Sequence, residues 1–151
     1  MEKKCKEIKE MTDKTRDLIQ DMFETMYDAN GVGLAAPQVG ILKQLFVVDI
    51  GDGVRYVCIN PKIEAVGEEE QCGEEGCLSV PGKEGKVTRP MNIHLEALDQ
   101  NMEPFSLDAS GFLARAFCHE YDHLQGVLYT EKVEGDLEDV QYEELEEEEM
   151  I

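Results

Sequence analysis

An α+β fold, with antiparallel strands packed around a central helix, is what this sequence predicts. Helical three- and four-residue apolar spacing occurs near the start of the chain and again around residues 112–124, with a run of alternating strand segments between them. Helices set apart from antiparallel strands in this way give α+β rather than parallel α/β architecture.

The first element is an amphipathic helix over residues 12–29. Leu18, Ile19, Met22, Phe23, Met26 and Tyr27 share one face as core, and Thr12 or Asp13 can cap the start. Asn30-Gly31 ends it, because both residues tolerate the left-handed conformation. Residues 31–40, Gly-Val-Gly-Leu-Ala-Ala-Pro-Gln-Val-Gly, are too glycine-rich for a helix and lack alternation, which predicts a loop. Residues 44–50 read as a buried strand, Gly51-Asp-Gly53 as a turn and residues 54–60 as the hairpin partner. Ile93, Leu95 and Ala97 alternate with polar neighbours in a later strand, which turns at Asp99-Gln-Asn101 and returns through Phe105 and Leu107. His94 falls on the outward side of that strand, as a surface histidine. Phe112, Leu113, Ala116, Phe117, Glu120, His123 and Leu124 then define a second helix.

The 151 residues, 42% of them hydrophobic, suffice for one domain that buries roughly two-thirds of its unfolded surface. No stretch approaches the ~20 apolar residues of a membrane span, and the charged start lacks a secretory apolar segment. A cytoplasmic protein with no membrane partner is expected. Five cysteines, an odd number in that compartment, point to thiols or metal ligands rather than a disulfide framework. The net charge of -20 argues against direct nucleic-acid binding, which needs a basic face. Half of that imbalance lies in residues 131–151, with eleven acids and one lysine. The expected organisation is a catalytic domain over 1–130 and an acidic, solvated tail over 131–151.

The chemistry concentrates in Phe117-Cys-His-Glu-Tyr-Asp-His123. On a helix His119 and His123 project from one face, close enough to share an ion, with Glu120 beside them as a general base. A tetrahedral catalytic ion takes three protein ligands and keeps one open position, so a third ligand lies elsewhere. Tyr129 occupies the position where a metzincin has its last histidine, and Glu143 has gluzincin-like spacing but sits in the acidic run. Upstream, Cys77 stands in Glu74-Glu-Gly-Cys-Leu-Ser79.

The three segments Gly31-Val-Gly-Leu-Ala-Ala-Pro-Gln38, Glu75-Gly-Cys-Leu-Ser79 and His119-Glu-Tyr-Asp-His123 resemble, in order and spacing, the motifs of peptide deformylases. The resemblance covers nearly the whole chain up to about Leu128. It implies that Cys77, His119 and His123 hold one divalent metal, physiologically Fe2+ with Zn2+, Ni2+ or Co2+ as alternatives. It further implies Glu120 as acid and base, and Gln38 with the backbone N–H of Leu78 as the oxyanion site. The implied reaction hydrolyses the formyl group from N-formylmethionyl nascent peptides: the ion lowers the pKa of its water, Glu120 takes the proton, and formate leaves. Val32, Gly33 and Gly76 would meet the substrate backbone, while Phe112 and Ala116 would wall the methionine pocket.

Arg115 departs from an aliphatic lining, and its stem is expected to pack while its charge reaches water. Cys5, Cys58 and Cys72 read as inert thiols, Cys118 as packing, and Arg89 and Asp122 as structural or site-supporting partners. Family members usually carry about a dozen further residues ahead of Lys4-Cys-Lys-Glu, forming an edge element. Some use a basic C-terminal helix for ribosome docking, a mode the acidic tail here does not suit. A monomer is expected. Two rivals are a zinc peptidase with Glu143 as third ligand and an inactive module that recognises N-terminal methionine.

Overall fold

The structure, a computed structural model, describes residues 5–77, 80–126 and 138–139, with side chains described outside 74–86 and 138–139. Helix α1 spans Asp13–Asp28. Thr12 caps it, its hydroxyl oxygen accepting from the Thr15 N–H at 3.2 Å. Asn30 stops it, at φ +57, where Asn30 N–H donates to Tyr27 and Gly31 N–H to the Met26 carbonyl. That pair of bonds satisfies the last helical carbonyls, and Asn30 alone takes the left-handed conformation. Ile19, Met22, Phe23 and Met26 are buried as the periodicity requires, but Tyr27 is exposed, its hydroxyl donating to Asp49 at 2.6 Å.

Residues 31–40 are not the loop that their composition suggests. Gly33–Ala35 form β1, paired antiparallel with Leu45–Val48, strand β2, and Ala36–Val39 form a 3-10 turn. All three β1 residues are buried, so no alternation could mark the strand. A five-stranded antiparallel sheet continues through β3 (Tyr56–Ala65), β6 (Asn92–Leu98) and β7 (Pro104–Ser110), in the order β1-β2-β3-β6-β7. Helix α2, Gly111–Leu124, packs on one face against Phe46, Val48, Cys58, Ile93 and Leu95, whereas α1 covers Leu34, Leu45, Val47 and Ile59 on the other. Burial on both faces explains why β2 is apolar at every position.

A second, smaller sheet holds β4 (Glu70–Cys77), β5 (Val80–Pro90) and β8 (Glu138–Asp139). The β4–β5 hairpin has no legible apolar alternation and carries glycines and prolines, which left it unmarked in the sequence. Of the acidic tail only β8 is described, and it pairs with Lys83 and Glu84 of β5.

His94 lies on the outer side of the larger sheet, half-exposed, between its register partners Glu64 on β3 and Asp108 on β7. Its ring Nδ1 meets Asp108 at 2.7 Å; this hydrogen bond, with the Asp108, Glu96 and Glu64 charges and against some desolvation, raises its pKa above the ordinary histidine value. A raised folded-state pKa contributes stability that is fully present below the unfolded value, ~6.5, and is lost as pH rises through the folded value. We expect the His94 NMR titration midpoint to lie above that of a model peptide and to fall in Asp108→Asn; an unchanged midpoint would refute the pairing.

Candidate metal centre and active site

Helix α2 starts where Gly111 adopts φ +62 and donates its N–H to the Met91 carbonyl at 2.9 Å. From there the helical repeat carries Arg115, His119, Asp122 and His123 along one side. His119 and His123 are both buried, and their Nε2 atoms converge to 3.3 Å. With metal–nitrogen bonds of ~2.0 to 2.1 Å and a tetrahedral angle, two nitrogens on one ion lie about 3.3 to 3.4 Å apart. The imidazole pair therefore fits a shared divalent ion without rearrangement. Among the described residues no third His, Cys, Asp or Glu completes a metal-binding group. Cys77 closes β4 at its backbone, and its side chain lies outside those described.

Glu120 is buried directly against β1. A Cβ at Gly33 would stand 2.6 Å from Glu120 Oε2, 2.9 Å from its Cγ and 3.0 Å from its Cδ. Gly33 thus has a more specific reason for lacking a side chain than a turn or a passing substrate: the carboxylate occupies the space. The conflict reaches back to Cγ, so Gly33→Ala must displace the whole Glu120 side chain. Since misplacing a catalytic group by ~1 Å can cost 10²-fold, a loss of turnover on the order of tenfold is expected. Steady-state kinetics with intact metal content tests this, and wild-type turnover would show that Glu120 tolerates the shift.

Gln38 is buried in the 3-10 turn, with its Oε1 accepting from the Ala35 N–H at 2.8 Å. That bond fixes the amide, leaving Nε2 as its donor end. Helix α2 packs against both β1 and this turn, which places Gln38, Gly33 and Glu120 in one neighbourhood. Leu78 lies outside the described residues. Of the expected substrate contacts, Gly76 is described through its place in β4, and Val32 is exposed with its carbonyl accepting from Asp49 N–H at 2.9 Å. Ala116 is buried in the core, whereas Phe112 is 55% exposed.

Arg115 corrects the expectation that its charge reaches water. It is buried, and Nη1 donates to the Gly73 carbonyl at 3.2 Å and the Val87 carbonyl at 3.1 Å. Those residues are register partners in the β4–β5 hairpin. The buried Arg89 on β5 forms an ion pair with the partly buried Asp122 on α2. Cys58 and Cys5 are buried, and burial pushes both thiols up, away from reactive thiolate. Cys118 is buried in the core, as its position on the helix suggests.

The chain is similar over most of its length to proteins of one family. The Polypeptide deformylase family profile matches residues 1–138. A peptide deformylase of Agathobacter rectalis is 54% identical over 145 residues, covering 96% of this chain and 90% of that protein. Peptide deformylase 1 of Clostridium perfringens is 56% identical over 131 residues, covering 85% and 88%. Among solved structures, the peptide deformylase of Thermotoga maritima superposes with a TM-score of 0.85 at 38% identity, covering 89% of this chain and 90% of that one. The peptide deformylase of Synechococcus elongatus, in complex with actinonin, reaches 0.85 at 45% identity, covering 89% and 73%.

Proposed function

This chain belongs to the polypeptide deformylase family, metal-dependent hydrolases that remove the N-formyl group from nascent polypeptides, and from that premise we propose how its residues divide the work. The convergence of His119 and His123 Nε2 beside the buried Glu120 carries the reading. His119, His123 and Cys77 hold one divalent ion, Fe2+ in the cell, with Zn2+, Ni2+ or Co2+ able to stand in. Two imidazoles and a thiolate suit any of these, and availability selects among them as much as affinity does.

When bound, the ion supplies Lewis acidity that brings the pKa of water towards neutrality. Glu120 accepts the proton of that attacking water, whose oxygen adds to the formyl carbon. The Gln38 Nε2 and the Leu78 N–H receive the developing oxyanion; donors of this kind are each worth ~2.7 to 4 kcal/mol. Glu120 then delivers its proton to the leaving nitrogen as the carbon–nitrogen bond breaks. Formate and a free N-terminal methionine are the products.

The substrate backbone runs along Val32, Gly33 and Gly76, and its methionine side chain packs towards Ala116, with Phe112 at the outer rim. The catalytic unit is residues 1–130, and residues 131–151 are an acidic extension that provides neither ligand nor pocket, although Glu138 and Asp139 pair with β5. No helix among the described residues is long and apolar enough to cross a membrane. The enzyme works as a cytoplasmic monomer that meets formylated chains near the ribosome without a basic tail.

Anaerobic purification followed by metal analysis and a formate-release assay on formyl-Met-Ala-Ser tests the proposal. Stoichiometric metal with formate release is expected; fully metal-loaded protein that releases none would overturn it.

A further inference from the structure

The proposed ligands come from two separately built parts of the fold. His119 and His123 ride on α2, whereas Cys77 closes β4 in a hairpin that belongs to a different sheet. Among the described side chains, three sets of bonds join the base of that hairpin to α2. Gln71 Nε2 donates to the Gly111 carbonyl at 2.6 Å, Arg115 reaches the Gly73 and Val87 carbonyls, and Arg89 pairs with Asp122. Cys77 lies four residues beyond Gly73, about 13 Å along an extended strand. A rotation of the hairpin about this base would move Cys77 relative to the helix-borne histidines.

On the helix, Arg115 precedes His119 by one turn and Asp122 follows it by about one turn, so the two clamps bracket His119, with His123 directly after Asp122. The Arg115 guanidinium bridges both strands of the hairpin at one register pair, which fixes the hairpin's rotation as well as its distance. Gly73 makes room for it, since a Cβ there would stand 2.9 Å from Nη2 and 3.1 Å from Cζ. Burying this charge is a poor way to gain stability, because desolvation offsets much of what the hydrogen bonds return. A rigid guanidinium whose Nη1 donates to one carbonyl on each strand is instead suited to geometry.

Resting on the ligand set proposed above, we infer that Arg115, assisted by the Arg89–Asp122 pair, is a positioning residue that sets the register between the Cys77 end of the hairpin and the helix-borne histidines. Its removal leaves the fold in place and loosens the third ligand.

The test uses the Co2+-substituted full chain, in which a thiolate ligand gives a sulfur-to-cobalt charge-transfer band and overall affinity is read by competition with a chelator. Arg115→Met removes the fork at similar length. Gly73→Ala pushes the guanidinium aside at the cost of moving a flexible tip, and it keeps the test open if Arg115→Met fails to fold. Both variants are expected to retain the metal-free thermal midpoint, to bind Co2+ 10- to 100-fold more weakly, as losses of supporting contacts around metal ligands do, and to show a weakened thiolate band. The double variant should be no worse than the poorer single one, since both act through one contact. Wild-type affinity with a full thiolate band in the variants overturns the inference, as does weaker binding with the band intact. A wild-type protein without the band, or a Cys77→Ala protein that keeps it, instead brings down the ligand assignment on which the inference rests.

Discussion

Glu120→Gln is expected to keep near-stoichiometric metal while losing at least ~100-fold in turnover of formyl-Met-Ala-Ser, the factor that general acid–base catalysis typically supplies. Glutamine keeps the size of the side chain, so the packing against Gly33 survives and only proton acceptance is removed. The site is unusually exacting here, because the carboxylate is buried and confined by β1 rather than held in solvent. His119→Ala should instead lose the ion itself. Metal content and formate release measured on both variants decide the matter: a metal-free Glu120→Gln protein would make Glu120 a ligand, and a fully active one would remove it from the mechanism.

Cys77→Ala is expected to lose most of the bound metal and all deformylation, whereas Cys118→Ala should retain both. The two cysteines offer a controlled contrast. Cys118 adjoins His119 in sequence yet is buried in the apolar core between α2 and the sheet, while Cys77 closes a strand of the other sheet. A tetrahedral site left with two imidazoles has lost a third of its protein ligands and the one anionic donor among them. Metal analysis of the purified variants checks this, and equal metal loss in the two would mean that the third ligand has been misassigned.

How legible the site was depends on the range over which each feature is encoded. The His119–Glu120–His123 arrangement is local: four residues apart on a helix means the same face, whatever the rest of the chain does, and the 3.3 Å convergence follows from that spacing. The glycine of β1 was visible, but its reason was not, because Glu120 lies 87 positions further along the chain and only folding brings the two together. Arg115 was misread for the same reason. Beside the expected pocket wall of Phe112 and Ala116 it suggested a stem that packs and a charge that reaches water, yet its partners are backbone carbonyls of a hairpin that no side-chain pattern announced.

What the sequence determined by itself was whatever short-range periodicity and capping control: both helices, with the start and stop signals of the first, the β2–β3 and β6–β7 hairpins, the α+β class and the motifs that mark the family. The tertiary structure alone decided that residues 33–35 form a strand, that residues 70–90 form the hairpin carrying Cys77, and that two buried arginines fasten it to α2. Those features depend on burial on both faces of a strand and on bonds to distant carbonyls. Neither leaves a period in the chain, because the partner that makes each one stable lies tens of residues away.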